Sequence, residues 1–174
     1  MNTMMRMALA TAVLGMAYAG RVQSAESRIQ PANNCQLSVP TIDTKARPRA
    51  TGFRNEGSNN IFVICGFDHP RGLAANTPTG MSLELTNYDG HHHGVSCTGV
   101  VGPQGGSPPQ YSTETLTFDE AAFQTRIAMF LPSVFNGASM TNFDMDIVSI
   151  TCLLPPGVAI TQGTLMYDVA GAPM

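Results

Sequence analysis

The residues best equipped for chemistry lie together in Asp89-Gly90-His91-His92-His93. Imidazole nitrogens bind zinc, copper and nickel well, and a neighbouring carboxylate often completes such a site. Asp89, His91 and His93 are therefore the candidate ligands for a divalent transition metal. Neighbours on one loop do not easily all reach a single ion, so a tight site needs another donor, with His69 and Asp68 as the candidates. The plainer reading is an exposed polar loop tip, because surface loops carry polar residues without any ligand.

Catalytic signatures fail on inspection. Gly94-Val95-Ser96-Cys97-Thr98 misses the Gly-x-Ser-x-Gly pattern by one place, since the second glycine arrives at Gly99, and its alternation is that of a core strand. Asp144 and Asp146 lie on one face of a strand pattern, where alternating acids ordinarily serve solubility or edge protection rather than glycoside hydrolysis. Residues 102–106 lack the lysine and the helix of a phosphate loop. No catalytic or cofactor-binding residue is assigned, and an unrecognised hydrolase is the least favoured reading. Sugar-binding platforms rely on exposed aromatic rings, and the chain has no Trp. Tyr88 and Tyr111 are its surface candidates, while Phe62, Phe67, Phe118, Phe130 and Phe143 read as core.

The first residues carry Arg6 and no acid, and Met7 to Ala19 runs apolar or small, ending in Ala17-Tyr18-Ala19. This is the form of a signal peptide over residues 1–19, with a cut after Ser24 as the alternative. The run is too short for an ordinary spanning helix, so the expected location is secreted or periplasmic, with no membrane span. Twelve acids against nine bases, only one of them a lysine, Lys45, leave no electrostatic footprint for nucleic acid or an anionic membrane.

Four cysteines follow, Cys35, Cys65, Cys97 and Cys152. An even number in an exported chain indicates disulfides, and the spacings do not suit structural zinc. Three pairings are open, and Cys35 with Cys65 plus Cys97 with Cys152 is the preferred one. Each bridge would close a loop long enough to contribute roughly 3 to 4 kcal/mol.

The elements that position these residues are strands. Residues 20–34 show no sustained period and read as a flexible N-terminal arm, with a single domain over 35–174. Ile61 to Cys65, at the heart of Asn60 to Phe67, suits a strand buried on both faces. Asp68 to Gly80 reads as a long loop. Met81 to Tyr88 and His93 to Val101 alternate and are expected to pair as a hairpin, with Gly90, His91 and His92 as the loop, Asp89 facing His93, and Leu85 facing Cys97. Tyr111 to Phe118 and Thr125 to Leu131 are further strands, separated by one helical turn capped by Asp119. Asn142 to Leu154 is the longest candidate, with a bulge near Ile147 and Val148. Val158 to Val169 supplies the last strand or two. A faint similarity links Phe53-Arg54-Asn55, Ile64-Cys65 and the later Pro70 to Phe135-Asn136-Gly137, Thr151-Cys152 and Pro155, readable as a remnant of a duplicated half-sandwich or, as preferred, as shared turn, strand and proline grammar.

The chain thus reads as all-β, an antiparallel β-sandwich of immunoglobulin-like or jelly-roll type with about eight or nine strands and very little helix. With its leader, Cys35-Gln36, Val63-Ile64-Cys65, Val95-Ser96-Cys97-Thr98 and Thr151-Cys152-Leu153-Leu154-Pro155-Pro156, it resembles small secreted bacterial proteins of uncharacterised function. That resemblance implies the fold and the disulfides and carries no activity. The expected role is non-catalytic binding or assembly in the envelope or extracellular space. Its partner is an unidentified macromolecule or a second copy of the chain.

Overall fold

The computed structural model describes residues 23–38, 45–68, 76–102, 108–135 and 148–169. In chain order the elements are β1 (Gln23–Ile29), α1 (Pro31–Asn34), β2 (Cys35–Leu37), β3 (Ala46–Arg49), β4 (Gly52–Asn55), β5 (Ile61–Phe67), β6 (Asn76–Asn87), β7 (His93–Val101), β8 (Gln110–Phe118), β9 (Gln124–Phe130), β10 (Val148–Leu154) and β11 (Val158–Val169). A single 3-10 turn lies at Pro132–Val134. Two antiparallel sheets face each other, one ordered β3-β4-β11-β6-β9 with β1 also on β11, the other β2-β5-β10-β7-β8.

Alternation explains the core. Ile61, Val63, Cys65 and Phe67 of β5, Val95, Cys97 and Val101 of β7, and Val148, Ile150, Cys152 and Leu154 of β10 point inward from one sheet. Met81, Leu83 and Leu85 of β6, with Ala128 and Phe130 of β9, meet them from the other. Gly99 lets the layers approach, because a Cβ there would lie 2.8 Å from both the Met81 methyl and the Phe130 ring. β5 is buried on one face only: Phe62 is 55% exposed, and Gly66 also faces out. The expectation of two buried faces, and of Phe62 in the core, gives way to a strand with one solvated side, as antiparallel sheets permit.

Strands β4 to β11 follow a jelly roll, with β4-β11-β6-β9 packed on β5-β10-β7-β8. Successive strands therefore mostly change sheets. The expected β6–β7 hairpin is not formed: β6 pairs with β11 and β9, and β7 with β10 and β8. The apolar rows of Leu85 and Cys97 do share one core, but from opposite walls. Period-two alternation fixes which face is buried and leaves the choice between pairing and face-to-face packing open. The long loop expected up to Gly80 is also shorter, since β6 begins at Asn76, and residues 119–123 form a turn rather than a helix. The bulge expected near Ile147 and the carboxylates Asp144 and Asp146 fall outside the described residues.

The flexible arm expected over 20–34 gives way, over its described residues 23–34, to β1 and α1. Gln23–Ile29 pairs with β11 over Gly163–Val169, and Ile29 is buried. One edge of β11 serves β4 along its first residues and β1 along its last. Both bridges, Cys35–Cys65 and Cys97–Cys152, lie within one sheet and join residues directly opposite in register. The open side between β8 and β9 is laced by side chains: Glu114 Oε2 accepts from the Met129 N–H at 2.9 Å, and Arg126 Nε donates to the Thr117 carbonyl at 3.1 Å.

Candidate functional site

Four connections, 56–60, 88–92, 119–123 and 155–157, meet at one end of the sandwich, and two fully buried asparagines hold them. Asn55 ends β4. Its Nδ2 donates to the carbonyls of Asn59 at 2.8 Å and Leu154 at 2.9 Å, and its Oδ1 accepts from the Gly57 N–H at 3.0 Å. Asn87 ends β6 in the same manner, donating to His91 at 2.8 Å and Ala121 at 3.5 Å and accepting from the N–H groups of Asp89 and Gly90. Each amide replaces ladder bonds that the backbone gives up as it turns from one sheet into the other. The Gly157 N–H donates to the Asn55 carbonyl, and the Tyr88 N–H to the Gly157 carbonyl, both at 3.0 Å. Cys65 follows Asn55 at the same separation as Cys97 follows Asn87, so strand, asparagine corner and cysteine strand occur twice. This repeat differs from the one suggested by the sequence, whose Asn136-Gly137 lies outside the described residues.

The second corner carries the histidine loop. Asp89 Oδ1 accepts from the His91 backbone N–H at 2.9 Å and lies 2.9 Å from His93 Nε2. Its carboxylate packs on Gly157, where an added Cβ would come within 2.1 Å of Oδ2 and where φ is +75°. Partial burial pushes the Asp89 carboxyl up, but the hydrogen bonds from His91 and His93 and the charges of those two residues outweigh it, leaving its pKa below the ordinary value. The rings of His91 and His93 meet edge-on, 6.5 Å between centres, and His92 is exposed. Thus the structure brings Asp89 and His93 together as a hydrogen-bonded pair. Asp68 follows β5 at the far end of the sandwich, about 20 Å of strand away, and His69 is outside the described residues. Among the described residues no three His, Cys, Asp or Glu side chains converge on a metal-holding point.

Beside this loop runs a row of rings and guanidinium groups, with Phe123 exposed and Tyr88 and Arg54 half-buried. Phe123 is 72% exposed and has φ +61°, an unusual conformation for a bulky residue. Its N–H donates to the Asn87 carbonyl, which fixes the turn, and its ring meets Tyr88 edge-on at 5.6 Å. The Arg54 guanidinium lies over Tyr88, 4.6 Å from the ring centre. Next comes a cleft of about 390 Å³, lined by Arg49, Thr51, Arg54, Glu56 and Tyr88. Arg49 donates to Glu56 Oε1 from Nε at 2.8 Å and again from Nη2. That hydrogen bond, against a smaller opposing effect of desolvation, keeps the Glu56 carboxyl below its ordinary pKa, and the charges of Arg49, Arg54 and Arg47 lower it further.

Of the two tyrosines read as surface candidates, Tyr88 belongs to this row and Tyr111 lies apart on the outer face of β8, 63% exposed. Phe123, Arg54 and Arg49 were not singled out by the sequence. Their only signal there is an aromatic in a turn between two strands, off the alternation of both, and a run of basic residues in an otherwise acidic chain.

No family model matches the chain, and no curated protein matches it in sequence. Among solved structures it is similar to a xylan-binding module CBM15, at 10% identity and a TM-score of 0.48 over 86% of this chain and all of the other. It is also similar to a family 11 carbohydrate-binding module from Clostridium thermocellum in complex with a beta-1,3-1,4-mixed-linked tetrasaccharide, at 12% identity and a TM-score of 0.37, covering 89% of this chain and 92% of the other. A third likeness is to the Podospora anserina GH26-CBM35 beta-(1,4)-mannanase, at 9% identity and a TM-score of 0.41, covering 86% of this chain and 28% of the other.

Proposed function

We propose that this is an exported, non-catalytic binding protein of the envelope or extracellular space, and that its ligand is a saccharide held at the Phe123–Tyr88–Arg54 rim. The observation that carries the reading is Phe123. An exposed ring in a left-handed conformation costs about 1 kcal/mol or more, and here a buried asparagine corner sustains it. Rigid aromatic faces suit the apolar C–H side of a sugar ring, and the charged and hydroxyl groups of the adjoining cleft suit its hydroxyls. Two disulfides fit an oxidising compartment. Among the described residues no helix is long and apolar enough to cross a membrane.

Affinity electrophoresis of the full chain in gels containing soluble polysaccharides, neutral and acidic, tests the proposal. The expected result is retardation by at least one polymer, weakened about tenfold or more by Phe123→Ala with an unchanged circular dichroism spectrum. Equal mobility in every gel, or retardation indifferent to Phe123→Ala, would overturn it.

A further inference from the structure

We infer that the saccharide is an acidic one, a uronate-bearing glycan whose carboxylate is received by Arg54 in the cleft beside Tyr88. The inference rests on the saccharide-binding reading above and names the ligand's charge.

The distribution of charge is the first observation. The chain is acidic overall, yet four of its nine basic residues, Lys45, Arg47, Arg49 and Arg54, fall on or beside the β3–β4 hairpin. Register places Arg47 directly opposite Arg54, so two guanidinium groups start from neighbouring positions on the hairpin, and the Glu56 carboxylate feels the charge of both. Arg47 donates to the Ala46 carbonyl, and Arg49 is occupied by Glu56. Arg54 lies over Tyr88 and lines the cleft, and its Nε is buried with no hydrogen-bond partner. A guanidinium held against an aromatic ring is restricted in its motion and so preorganised for a planar carboxylate, which a guanidinium can receive on two parallel N–H donors.

Chemical fit is the second observation. Glu56 already lies as a carboxylate against Arg49 in the same cleft, so the site accommodates that group. The pair is exposed, and such pairs exchange partners at little cost. The cleft volume of about 390 Å³ falls within the range of small-ligand pockets. An acidic peptide is less well served. β3 ends its sheet, but Pro48 in the middle of that strand has no N–H to offer to an added strand. Recognition at this edge must therefore go through side chains.

The test is titration of the full chain with polygalacturonate, with the same polymer methyl-esterified, with a neutral mixed-linked glucan and with poly-glutamate, read by affinity electrophoresis and calorimetry. Polygalacturonate should bind at least tenfold more tightly than its ester, the affinity should fall as salt is raised, and Arg54→Gln should lose tenfold or more while melting at an unchanged temperature. Equal binding of the ester or of the glucan, with loss in Phe123→Ala but not in Arg54→Gln, would overturn the acidic-sugar inference and leave the binding site standing. Poly-glutamate binding as tightly as polygalacturonate would overturn it in favour of an acidic peptide. Failure of every saccharide would overturn this inference and the proposed function together.

Discussion

Asp89 shows how one side chain can hold a loop. Sequence spacing puts it near His91 and His93, that proximity is real, and its Oδ1 bonds within the loop itself. The consequence is a dependence on pH. A carboxyl whose pKa is lower in the folded chain stabilises that chain above the ordinary carboxylate range, and the contribution disappears as the pH falls through the lowered value. Asp89→Asn should therefore be less stable than the parent at pH 6 by about 0.5 to 1 kcal/mol, the scale of an exposed pair. The gap should narrow as the pH falls below the ordinary carboxylate range, as followed by urea unfolding at successive pH values. A gap that does not narrow as the carboxyl is protonated would mean that shape rather than charge ties Asp89 to its loop.

At the scale of elements, the asparagine corners and the disulfides divide the task. Each corner turns the chain between sheets with its own hydrogen bonds, and each bridge then ties the strand that follows to its neighbour. The bridges close loops of 30 and 55 residues. On the chain-entropy estimate these contribute about 3.6 and about 4.2 kcal/mol. Replacing both partners of a bridge by Ala should lower the urea midpoint in that order, with Cys97→Ala/Cys152→Ala the more damaging. A non-reducing peptide map that joined Cys65 to Cys97 would contradict the pairing itself. In the sequence this pairing is one of three open ones, preferred with each bridge closing a loop long enough to stabilise the chain. The direct opposition of the partners in register was not visible there, because register between distant strands depends on the whole sheet.

For the molecule as a whole, the N-terminal segment matters more than its polar composition indicates. Gln23–Ile29 covers an edge of β11 and buries Ile29 against the core. A chain shortened to begin at Cys35 should lose about 2 kcal/mol from the Ile29 side chain alone. It should also associate through the uncovered edge, measurable as a lower unfolding midpoint and as added mass in light scattering. Unchanged stability and a monomer would show that β1 is dispensable. The sequence by itself determined the β class, the inward rows such as Met81-Leu83-Leu85 and the cysteine strands, because alternation and composition act locally along the chain. Tertiary structure alone decided that β6 and β7 stand in different sheets, that 23–29 is a strand, and that Phe123, Tyr88 and Arg54 form one rim. Those outcomes depend on residues far apart in the chain meeting where four loops converge, and no local period records such a meeting.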